Sequence, residues 1–104
     1  YLLDNLPANV GVWYDIGHGE LLNRMGFALD WAAILNKYAA RLWGIHFHDV
    51  IGLNDHYIPG TGTADFSIVK QYLRYQPICT LELYDINPED GILAGINYLS
   101  KLFS

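Results

Sequence analysis

The residues able to do chemistry stand at the ends of apolar runs. Asp15 and His18 close VGVWYDIGH (10–18), and His46, His48 and Asp49 close WGIHFHDV (43–50). Glu82 falls near the end of ICTLELYD (78–85), with Asp85 beyond it. Asn54, Asp55 and His56 follow the second run. Imidazole nitrogen and carboxylate oxygen, with no thiolate, suit zinc, manganese or iron. They also suit proton transfer. A lone His at a strand end is usually a satisfied polar group. Glu82, between Leu81 and Leu83, and Asp15, after VGVWY, resist that reading. A carboxylate in a buried strand is costly unless it is paired or holds a metal. Three such groups on three strands therefore predict a metal or acid–base site.

Other polar features receive plainer expectations. Asp49 and Asp85 are expected to cap loops or turns. Cys79, between Ile78 and Thr80, is expected in the core at the end of the sheet away from the polar cluster. The tryptophans are expected to pack, with Trp13 or Tyr14 within reach of a pocket. PGTG (59–62) is expected to be a turn using its glycines for positive φ, rather than a phosphate loop.

These residues need elements to position them. LDWAAILNKYAARL (29–42) carries apolar residues at helical spacing. DFSIVKQYLRY (65–75) predicts a helix with Asp65 as N-cap. NPEDGILAGINYLSKLF (87–103) predicts another, with Asn87 as cap, Pro88 at the first position, and Glu89 and Asp90 favouring the positive end of the dipole. YLLDNLP reads as the tail of a preceding helix. Three strand–helix units imply an α/β fold with a parallel sheet. In such folds ligands bind at the carboxyl ends of the strands.

Composition bounds the function. With 104 residues, 52% hydrophobic and 16% charged, the chain fits one small, largely buried domain. No apolar run is long enough to span a membrane, and the start shows no secretory signal. A net charge of −5, with six Lys plus Arg, disfavours nucleic acid as a partner. The single cysteine excludes an internal disulfide framework and fits a cytoplasmic location.

DIGH, HFHD, DHYIPGTGTADF and LEL, in that order with helices between, resemble the C-terminal part of the xylose isomerase-like TIM barrels. That superfamily holds sugar and sugar-phosphate isomerases and epimerases, and the endonuclease IV type of apurinic-site repair enzyme. The resemblance runs from about Val10 to Leu102. It implies a partial (β/α)8 TIM barrel over residues 1–104: the end of helix five, then strands six to eight, each followed by its helix. It further implies that Asp15, His46 and Glu82 are metal ligands. The fourth expected ligand is a glutamate on strand five, which this stretch does not contain. His18 or His48 would bind a substrate oxygen, with His48 otherwise a structural neighbour of the site. His18, Asp55 and His56 would form an additional metal site. Aligned on His56, however, Asn54 takes the place of an aspartate ligand and Asp55 lies one residue off.

The leading expectation is thus a sugar or sugar-phosphate isomerase or epimerase using a divalent metal (zinc, manganese, cobalt or magnesium). Glu82 would move a proton at carbon next to a carbonyl. Without the strand-five glutamate, this stretch by itself is expected to be inactive. The alternatives are a zinc phosphodiesterase acting on abasic DNA, and a barrel that has lost catalysis and serves binding or structure. An open three-stranded piece also exposes edges, so the remainder of the barrel, or a second copy, is an expected partner.

Overall fold

The structure is a computed structural model and describes residues 2–84 and 87–104. Strands β1 (Val12–Asp15), β2 (Leu42–Phe47) and β5 (Ile78–Leu81) form one parallel sheet in the order β1-β2-β5. Asp15 pairs with His46 and His46 with Thr80, so the polar strand ends lie at one edge of the sheet. Helices α1 (Ile16–Arg24), α2 (Trp31–Lys37) and α3 (Glu89–Phe103) and a 3-10 segment (Phe66–Tyr75) complete the α/β domain.

One face of the sheet makes the core. Ile45 and Phe47 of β2 are buried with Tyr14, Leu35, Phe66, Val69 and Tyr72. Phe47 lies 6.1 Å from Phe66 and 5.8 Å from Phe103, ring to ring. The side-chain period of two then turns Trp13 and His46 to the other face, where the rings meet edge-to-face at 5.4 Å. Trp13 is 47% exposed there.

Several elements differ from the sequence reading. The first strand ends at Asp15 because that side chain caps a helix: its carboxylate accepts from the His18 N–H at 2.9 Å. Residues 16–24, partly read as strand, are therefore α1. The loop after the second strand contains an antiparallel hairpin of β3 (Asp49–Ile51) and β4 (Asn54–Tyr57), turning at Gly52. The span 29–42 divides into α2, a short 3-10 turn (Ala39–Arg41) and the first residue of β2. Leu2–Asn5 is a 3-10 turn.

Asp65 caps its segment as expected, accepting from Ser67 N–H. Asn87 does not cap α3. Pro88 is the cap residue, and the Asn87 amide instead donates to the carbonyls of Tyr84 and His56. Cys79 is exposed rather than core, because β5 is an edge strand whose Ile78, Cys79 and Thr80 lack cover.

Candidate metal centre

The buried base of the site is His48, which is 0% exposed. Its Nδ1 lies 2.9 Å from the backbone N–H of His56 and accepts from it. The ring proton therefore sits on Nε2, which donates to Asp15 Oδ1 at 2.6 Å. Both nitrogens are engaged. Of the two places expected for His48, substrate side or structural neighbour, its complete burial and its two hydrogen bonds fit the second. The α1 backbone closes over it at Gly17, where a Cβ would stand 2.0 Å from the His48 ring.

Above His48 six side chains close a circle of alternating carboxylate and imidazole. Asp15 Oδ2 lies 3.6 Å from His46 Nδ1, which lies 3.1 Å from Glu82 Oε2. Glu82 Oε2 is 3.5 Å from His56 Nε2, and His56 Nδ1 is 2.7 Å from Asp55 Oδ1. Asp55 Oδ2 is 3.1 Å from His18 Nε2, and His18 Nδ1 is 2.9 Å from Asp15 Oδ2. Five stretches of backbone place the six members. Asp15 ends β1, His18 opens α1, His46 lies in β2, and Asp55 and His56 lie in β4. Glu82 follows β5, and its N–H donates to the Phe47 carbonyl at 3.1 Å, carrying the ladder one residue past the strand.

All six ring residues were singled out from the sequence as ligand candidates. Asn54, which occupies the expected aspartate position, is exposed. Asp55 takes the place between His18 and His56 instead. Glu82 differs in one respect: its side chain is 41% exposed, so burial cost is no argument for its role. Asp85 lies outside the described residues.

The charge on Asp15 is fixed by its surroundings. Partial burial pushes its carboxyl up, but the hydrogen bonds from His48 and from the His18 N–H outweigh this. The carboxyl is held well below the usual carboxylate range. In Asp55 burial is likewise outweighed, chiefly by the hydrogen bond from His56, and its carboxyl is lowered. Ionised carboxylates are what a cation requires.

The spacing suits a metal. Ligand atoms about 2.1 Å from an ion lie about 3.0 Å apart in an octahedron and about 3.4 Å apart in a tetrahedron. The contact of His46 Nδ1 with Glu82, at 3.1 Å, falls in that range, and its contact with Asp15, at 3.6 Å, lies just above it. Asp15 divides its labour, with Oδ1 bound to His48 and the His18 N–H and Oδ2 turned to His18 and His46. Groupings that place ligand atoms within 4.8 Å include His48 with His18 and His56, and with Asp15 and Glu82. Around these groups, Asp15 and Glu82 meet at His46 Nδ1 on one side, and His18 and His56 meet at Asp55 on the other.

Beside the site, PGTG is the expected turn. Asp49, 1% exposed, accepts from the N–H groups of Gly60 and Gly62 through Oδ2 and from those of Ala64 and Val50 through Oδ1. The loop amides that a phosphate would need are held by this carboxylate. Gly60 has φ 96°, a conformation open to glycine; Gly62, contrary to expectation, does not have positive φ, and is held to glycine by close approach instead, since a Cβ there would stand 2.1 Å from the Val50 carbonyl oxygen. Trp13 and Tyr14 line an apolar groove that borders Asp15 and His18, as expected for a pocket wall.

Tyr84 is the neighbour that the sequence reading missed. Its ring stacks on His56 at 4.3 Å and its hydroxyl lies 3.2 Å from Asp55 Oδ1. Its one sequence signal is its place two residues after Glu82.

No protein-family model matches the chain, and no curated protein matches it.

Proposed function

We propose that the chain carries the metal-binding part of an isomerase or epimerase acting on a sugar or sugar phosphate, built as the C-terminal portion of a TIM barrel. The supporting observation is the closed circle of three carboxylates and three imidazoles, delivered by separate elements to the carboxyl edge of a parallel sheet. Asp15, His46 and Glu82 would hold the metal. A divalent metal there would polarise the carbonyl and hydroxyl oxygens of the substrate. Glu82 is half open to solvent, and its ion pairs run through Oε2. In this reading Glu82 would be one acid–base of the proton transfer at carbon, with the strand-five glutamate as its partner. His18, 46% exposed at the rim, is the imidazole best placed to meet a substrate oxygen. The resemblance supplies the substrate class; the geometry supplies the donor set.

Replacing Glu82 with Gln in the intact protein is expected to reduce turnover at least about a hundredfold, the typical contribution of a positioned acid–base group. The circular dichroism spectrum should stay unchanged. Undiminished turnover would refute the role.

One observation favours a second reading, a zinc phosphodiesterase on abasic DNA. Asp55 meets both His18 and His56, which supports an additional ligand set despite Asn54. The net charge of −5 weighs against a DNA partner. Metal stoichiometry of the intact protein separates the two: one per chain for the isomerase, three for the phosphodiesterase.

A further inference from the structure

His56 holds a backbone conformation that its side chain disfavours. Its φ is 62°, in the left-handed region where a bulky residue is strained. Such strain persists where surrounding structure over-determines it, and it concentrates at functional positions. Three contacts hold His56 in place. Its N–H donates to His48 Nδ1, and its carbonyl accepts from the Asn87 amide at 3.2 Å. Its ring lies between two others: His48 below, at 4.2 Å and 1° from parallel, and Tyr84 above, at 4.3 Å and 22°. Tyr84 adds a fourth restraint, since its hydroxyl donates to Asp55 Oδ1, the oxygen that also meets His56 Nδ1.

We infer that Tyr84 is a positioning residue that clamps the Asp55–His56 pair into ligand geometry, tying the β3–β4 hairpin to the segment that carries Glu82. The inference rests on the metal-binding reading above. Stacking fixes the plane of the His56 ring, so that Nε2 points toward Glu82 and Nδ1 toward Asp55. The hydroxyl fixes the rotation of the Asp55 carboxylate. The ring and hydroxyl contacts of Tyr84 are with His56 and Asp55, so its effect should fall chiefly on the hairpin side. It is 52% exposed, so its removal should not unfold the domain.

The test is a zinc titration of the intact protein against a competing chromophoric chelator. The variants are Tyr84→Ala, Tyr84→Phe, His56→Ala and His46→Ala, each checked by thermal melting. Outer partners of metal ligands typically contribute 10- to 100-fold in affinity. Tyr84→Ala should therefore weaken the zinc binding that depends on His56 at least about tenfold. Tyr84→Phe, which keeps the stack and loses the hydroxyl, should recover part of that loss. Unchanged affinity in Tyr84→Ala overturns the clamp. So does an affinity that His56→Ala leaves untouched while His46→Ala reduces it; there the metal reading survives and the clamp falls. If His46→Ala also leaves zinc binding unchanged, both fall. A loss in Tyr84→Ala matched by an equal drop in melting temperature for Tyr84→Ala and Tyr84→Phe alike also overturns it, in favour of a merely structural role.

Discussion

At the residue scale the site depends on which atom of each side chain is already engaged. Asp15 shows this most clearly. One oxygen caps α1 and receives His48, and the other faces His18 and His46. The same contacts that orient it hold its carboxyl low, and those on Asp55 do likewise. A carboxyl lowered on folding contributes stability that is fully present above its unfolded value, near 4, and is lost as pH falls through the folded value. Folding stability should therefore drop as pH is lowered from about 5 towards 2, with a shallower fall in Asp15→Asn. Urea denaturation across that range measures it. Identical pH slopes for the two proteins would contradict the role of Asp15. The residue types of the site were legible in the sequence because imidazole and carboxylate stood at the ends of apolar runs. Which nitrogen of His48 faces which partner was not, since that depends on the hairpin folding back to bring His56 N–H onto it.

At the element scale the β3–β4 hairpin and the PGTG loop complete a site that the parallel strands only begin. The strand–helix alternation was readable from period and capping residues, and Asp65 capped as expected. The hairpin was not readable: its strands have three and four residues, and its turn residue Gly52 lies between Ile51 and Leu53, without the Asn-Gly or Asp-Gly pair that marks a tight hairpin. Two devices fix it. Arg24 of α1 reaches the Gly52 carbonyl at 2.8 Å and Thr63 at 3.3 Å. Asp49 gathers four backbone N–H groups. Hydrogen bonds to a charged group are each worth about 1.5–3 kcal/mol. Asp49→Ala should accordingly destabilise the fold by roughly 3 kcal/mol or more, with a smaller loss in Asp49→Asn. Chemical denaturation reads this directly, and a loss below about 1 kcal/mol would show that the loop does not depend on the carboxylate.

At the scale of the whole molecule the sheet is open. β1 and β5 are both edges, and Trp13, Trp43 and Ile78 are 47, 43 and 61% exposed. The accessible surface is 6443 Å², where a monomer of this mass typically shows about 5,900 Å². The radius of gyration is 14.0 Å, against about 13 Å for a chain of this length. An apolar groove runs beside β1, lined by Val12, Trp31, Leu35 and Tyr38. This openness explains why Glu82 and Cys79 are more exposed than their apolar neighbours in the sequence suggest. The six ring residues come from five stretches of chain, so the site exists only in the folded state. Metal binding should then be coupled to folding.

Asp15, His46 and Glu82 are proposed to share one metal ion. Anomalous diffraction from crystals of the intact protein soaked in zinc would locate it. A peak is expected within about 2.3 Å of Asp15 Oδ2, His46 Nδ1 and Glu82 Oε2. Absence of a peak there at saturating zinc, with the three side chains ordered, would contradict it.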